Sequence, residues 1–90
     1  MPTLLGKQLE QEEAFRFVLR ELRQSKRLSQ EKLAFEAGLD RNYISLVELG
    51  KSSPSLKTIF KLCTTLEIAP SGFFSLIEAR MNNFDNLNED

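Results

Sequence analysis

The chain is predicted to fold as an all-α domain of five short helices, and three observations carry that expectation. Apolar residues recur at three- and four-residue steps rather than alternating. Small polar cap residues and glycines punctuate them at intervals that suit helices of two to four turns. Ninety residues is one domain's worth of chain, and 41% hydrophobic with 28% charged residues reads as a soluble globular composition.

Residues 1–10 read as a flexible arm, because Pro2 and Gly6 break any early periodicity. A first helix is expected over Gln11 to Lys26, with Ala14, Phe15, Val18, Leu19 and Leu22 on one face and Phe17 off it. Ser29 can cap a second helix, and Glu31 suits the positive end of its dipole. Leu33, Ala34 and Ala37 continue the apolar face, and Gly38 stands where a left-handed terminator belongs. Asp40 is placed to cap a third helix over Arg41 to Leu49, with Ile44 and Val47 inward and Gly50 as its stop. Ser55, just after Pro54, caps a fourth helix containing Leu56, Ile59, Phe60, Cys63 and Leu66. A fifth begins at Pro70 or Ser71 and runs to about Asn82, with Pro70, Phe73, Phe74, Ile77, Met81 and Phe84 along one stripe. Residues 11–84 form the predicted domain, and residues 85–90 a polar, acidic, fraying tail.

Composition removes several functions. The chain has no histidine and one cysteine, Cys63, so an intrachain disulfide is impossible and the common zinc patterns are absent. No nucleophile–base pair or acidic dyad is recognisable, so no catalytic residue, metal or cofactor is expected and the chain reads as a non-enzyme. No run approaches the length of a membrane span, and the N-terminus lacks a signal-peptide pattern, so a cytoplasmic protein is expected. The formal net charge is -1, yet residues 16–61 hold ten Lys/Arg against five Asp/Glu. That basic middle can present a positive face to nucleic acid.

The functional signal lies in Leu28 to Lys51, LSQEKLAFEAGLDRNYISLVELGK. Two short helices meet at a glycine turn: Ala34 is small where they cross, Leu39 fills the corner, and Ile44 and Val47 anchor the second helix from behind. The opposite face of that helix is free to enter a DNA major groove. Periodicity alone leaves an unrelated helical interaction module open.

A wider set of residues resembles a known family: Arg23, Leu28-Ser29-Gln30, Leu33-Ala34, Gly38-Leu39, Tyr43-Ile44-Ser45, Glu48, Gly50, Pro54-Ser55-Leu56, Thr58-Ile59 and Lys61-Leu62. Over residues 14 to 78 the chain looks like the phage-repressor-like, XRE-type helix-turn-helix domain, with a lambda-repressor-like fold. DRNYIS is also similar to the controller proteins of restriction–modification systems. Arg27 departs from the family pattern, which often has glycine there.

The resemblance implies a sequence-specific, homodimeric regulator of transcription on a two-fold-related double-stranded operator. It acts as repressor, activator or both, with RNA polymerase a further expected partner. A non-DNA-binding interaction protein and an antitoxin-like regulator are the alternatives. The resemblance pairs Arg23 with Glu48 as a structural ion pair, with Arg23 also near phosphate. It places Gln30 at the DNA backbone near a base edge. For Tyr43 it implies a ring packed near the second helix with the hydroxyl toward phosphate, and core packing without DNA contact is the alternative. Arg41, Asn42 and Ser45 are expected to read bases: arginine can hold guanine O6 and N7, asparagine adenine N6 and N7. Leu46 can meet a thymine methyl. Lys51, Ser52, Ser53 and Ser55 suit phosphate contact. Leu76, Ile77, Met81 and Phe84 are the expected subunit contact, because one small core cannot hold every apolar residue of the fifth helix.

Overall fold

The computed structural model describes the backbone of residues 10–89 and the side chains of residues 10–82. The helices are α1 (Gln11–Ser25), α2 (Gln30–Ala37), α3 (Arg41–Glu48), α4 (Leu56–Thr65) and α5 (Pro70–Glu89). The predicted all-α, five-helix architecture is thus what the chain adopts. The expected arm, up to Leu9, and the side chain of Phe84 lie outside the described residues.

The caps explain the boundaries. Ser29 accepts from the Lys32 amide and Ser55 from the Thr58 amide, each satisfying a donor that its helix leaves open. Asp40 occupies the N-cap of α3 but its side chain makes no cap hydrogen bond, contrary to its expected role. At the other ends, α1 to α4 close by one device. A residue with positive φ follows the helix, and the next amide reaches back five residues. The bonds are Leu28 N to Arg23 O (3.1 Å), Leu39 N to Ala34 O (2.8 Å), Lys51 N to Leu46 O (2.8 Å) and Ile68 N to Cys63 O (3.0 Å). The left-handed residues are Arg27, Gly38, Gly50 and Glu67. Arg27 and Glu67 each accept about 1–2 kcal/mol of strain that glycine avoids. The two strained turns are tied together, Lys26 Nζ meeting Glu67 Oε1 at 2.9 Å. That ammonium holds the exposed Glu67 carboxyl below its ordinary value, through the hydrogen bond and the charge.

α5 is longer than expected, remaining helical through the segment read as a fraying tail. No glycine or proline follows Gly72, so nothing in the chain forces a stop.

α1 packs on α5 and α3, α2 on α3 and α4, and α4 on α5. The core between them holds Phe15, Val18, Leu19, Leu33, Ala34, Ile44, Val47, Leu62, Leu66, Phe73 and Ile77. Phe15 and Phe73 meet edge to face with centroids 5.5 Å apart, joining α1 to α5. Cys63 is buried, and burial pushes its thiol up from the ordinary value. Phe17 stands partly exposed between two guanidiniums, Arg16 and Arg80, 5.5 and 5.3 Å from its ring centre. Arg80 also pairs with Glu21, a second link between α1 and α5. Among the described residues no helix is long and apolar enough to cross a membrane.

Candidate nucleic-acid interface

α3 has two dissimilar sides. Ile44 and Val47 bury its back, at 0% and 2% exposure. Arg41 and Asn42, in its first turn, are exposed, as is Leu46; Ser45 is half-buried. The helical period places 42 and 46 on the side of α3 away from 44 and 47, while Arg41, three residues before Ile44, is exposed as the first residue of the helix.

The C-terminal end of α3 is fixed by charge. Glu48 is 1% exposed, the one buried charged residue among those described. Arg23 grips it as a fork, Nε donating to Oε2 at 2.7 Å and Nη2 to Oε1 at 3.1 Å. Gln30 Nε2 donates to the same Oε1 at 2.9 Å. Arg23 Nη1 also donates to the Leu28 carbonyl at 2.8 Å. One carboxylate on α3 therefore binds α1 and the first residue of α2, while Arg23 also ties down the turn after α1. A buried carboxylate is tolerable only with such complete pairing. The expected Arg23–Glu48 pair is present in this structure, and the geometry adds Gln30 to it. Arg23 has all three guanidinium nitrogens committed inside the protein.

Two arginines of α1 escaped the sequence reading. Arg16 Nη1 donates to the Glu48 carbonyl at 3.3 Å, against the negative end of the α3 dipole. Arg20 Nε lies 3.7 Å from Glu48 Oε1, with 45% of its side chain exposed. The signal was in the spacing: 16, 20 and 23 advance by four and three, which places all three on one side of a helix.

The remaining candidates spread around α3. Tyr43 is half-buried and packs against the core. Lys51 and Ser53 are exposed and Ser52 half-buried, in the loop that leaves Gly50. The exposed Ser55 has its hydroxyl occupied as a cap, accepting from the Thr58 amide and donating to Thr58 Oγ1 at 3.1 Å. On α5, Leu76 is exposed and Met81 half-buried. Ile77 is 6% exposed and belongs to the core of its own subunit, not to the open face expected for it. The physical reason is the longer stripe: Phe73 and Ile77, four apart, both turn inward, and Phe74 is left outside at 43%. Among the described residues no group of three or more His, Cys, Asp or Glu could hold a metal ion.

Comparison with known proteins agrees with this geometry. A helix-turn-helix family model matches residues 19–73. The control protein C.BamHI of Bacillus amyloliquefaciens is 47% identical over 53 residues, covering 58% of this chain and 65% of that protein. The control protein C.MunI of a Mycoplasma species is 44% identical over 61 residues, covering 67% of this chain and 82% of that one. Among solved structures, the restriction-modification controller protein C.AhdI from Aeromonas hydrophila is 51% identical. It aligns over 70% of this chain and 96% of its own with a TM-score of 0.67. The controller C.Esp1396I, solved as a tetramer with its natural 35 base-pair operator, is 27% identical. It aligns over 82% of this chain and 97% of its own with a TM-score of 0.77. The matched span contains α2, α3 and the Arg23–Gln30–Glu48 cluster, and the chain belongs to the restriction–modification controller family of helix-turn-helix proteins.

Proposed function

We propose that this protein is a sequence-specific, double-stranded DNA-binding transcriptional regulator that works as a homodimer on a two-fold-related operator. The observation that carries the reading is the division of α3: a back buried in the core, an end locked through Glu48, and a polar edge of Arg41 and Asn42 left open to solvent. A helix held this rigidly can present its first turn to base edges in a major groove.

In this reading Arg41 and Asn42 make the principal base contacts, with Ser45 and Leu46 one turn further along the groove. Gln30 braces α3 with its amide NH2 and keeps its carbonyl oxygen for a base edge or backbone partner. Tyr43, Lys51, Ser52 and Ser53, with the backbone amides at the α4 start that Ser55 caps, set the register on phosphates and carry little sequence information. Arg23 acts on DNA through the orientation of α3 and adds its charge to the phosphate field. Two copies joined through the exposed part of α5, where Phe74 and Leu76 stand open, would present two recognition helices about 34–36 Å apart to successive turns of DNA. The operator-bound tetramer of C.Esp1396I supports the binding of more than one copy to DNA. In this reading the protein's own concentration sets operator occupancy.

The test is selection from random duplex DNA, followed by binding on the enriched site. A two-fold-related site should emerge, and Arg41→Ala should relax preference at one base pair of each half-site by about 1–3 kcal/mol. Failure to enrich any sequence defeats the proposal.

A further inference from the structure

Glu48 brings one negative charge to its cluster and meets two guanidiniums. Arg23 takes both carboxylate oxygens, and Gln30 takes Oε1 a second time. Arg20 comes last: at 3.7 Å from Oε1 it is within ion-pair reach but beyond a hydrogen bond. Among the described residues no other carboxylate lies within ion-pair distance of Arg20, and none of its guanidinium nitrogens donates a hydrogen bond. Its donors are therefore free, its charge is not neutralised, and nearly half its side chain is open to solvent. Its place is also defined. Arg20 and Gln30 approach the same carboxylate oxygen, so the guanidinium lies beside the first residue of α2, on the flank of the α2–α3 unit.

We infer that Arg20 is a DNA-backbone contact, held beside α2 by Glu48 and binding one phosphate without reading sequence. This rests on the DNA-binding reading above and extends it to a residue of α1. The chemistry favours a phosphodiester over a second protein carboxylate as the missing partner. A planar cation with unused donors suits phosphate oxygens, and its weak attachment to Glu48 holds it near the protein surface at little cost in mobility. The two arginines of the cluster thus divide the work. Arg23, 11% exposed and fully bonded, sets the position of α3; Arg20 faces outward.

The experiment measures affinity for the selected operator and for random duplex across a salt series, for the parent, Arg20→Ala and Arg20→Lys. Arg20→Ala should weaken binding to both DNAs by the same factor. It should also reduce the steepness of log K against log salt by about 0.9 per subunit, with base preference intact. Arg20→Lys should restore most of the slope, since a phosphate accepts a point charge. Thermal unfolding of both variants should stay close to the parent, which separates this role from that of Arg23. A parent that binds with a normal salt slope which Arg20→Ala leaves unchanged overturns the assignment and spares the DNA-binding reading. A parent that binds neither DNA overturns both.

Discussion

α1 is joined to the rest of the molecule by two kinds of contact. Toward α5 the joint is mostly apolar: Phe15 against Phe73, with Ile77 beside them in the core. Toward α3 the shared core is joined by an ionic cluster, with Arg23, Gln30 and the buried Glu48 bonded together and Arg16 on the α3 carbonyl end. Apolar contact is strong but non-directional, and it tolerates small rotations and slides. A two-pronged guanidinium–carboxylate pair is satisfied in one geometry only. The difference teaches where stability and where aim are supplied. The α5 side stabilises the fold, and the α3 side sets the angle at which α3 leaves the core.

The sharpest way to break that comparison is to damage each joint in turn. Phe73→Ala should destabilise by about 4 kcal/mol through the cavity it leaves, and Glu48→Ala by about 3 kcal/mol by leaving Arg23 buried without its partner. Measured well below their melting temperatures, Phe73→Ala should bind the selected operator nearly as the parent does, while Glu48→Ala should bind weakly. The double variant Arg23→Met/Glu48→Leu should recover most of the lost stability, because an apolar pair avoids the desolvation of two charges. It should not recover DNA affinity. Parent-like operator binding by the double variant would show that apolar packing aims α3 as well.

A smaller effect sharpens the account of the α3 end. Gly50 and Gly38 have similar backbones, φ 79° and 71°, but different surroundings. A Cβ at Gly50 would stand 2.9 Å from Arg16 Nε, whereas one at Gly38 meets nothing within 4 Å. Gly38→Ala should cost about 1 kcal/mol, the left-handed strain alone. Gly50→Ala should cost about 1 kcal/mol more, because Arg16 must release the Glu48 carbonyl. In an Arg16→Ala background the two costs should converge, and calorimetric melts would read the difference. Equal costs in the parent background would remove Arg16 from the joint.

The smallest effect concerns the link between the strained turns. Because Lys26 lowers the Glu67 carboxyl, the stabilisation is fully present above the ordinary carboxylate range and is lost as pH falls through the lowered value. Lys26→Ala should move the Glu67 midpoint upward in a carbon-detected NMR titration. An unchanged midpoint would mean that the two turns are independent.

Much of the candidate interface was legible without coordinates. The Arg23–Glu48 pair came from the family pattern, and the outward placement of Asn42 and Leu46 from the inward period of Ile44 and Val47. Ile77 was misplaced because a stripe of apolar residues on α5 does not say which members meet their own core. Asp40 was credited with a cap bond because its residue type suits one, but side-chain rotation decides the bond and sequence does not carry it. Arg16 and Arg20 were visible as a spaced row on α1, yet their use depended on what lay opposite.

What the chain determined by itself is local and periodic. Helix existence, the Ser29 and Ser55 caps, the glycine stops at 38 and 50, and the buried faces of α1 and α3 follow from residue type and the 3.6-residue repeat. Tertiary structure alone decided that Glu48 would serve three elements at once, and that Arg23 would be consumed while Arg20 stayed free. Such choices turn on distances between segments far apart in sequence, where a few tenths of an ångström separate a hydrogen bond from a bare ionic attraction.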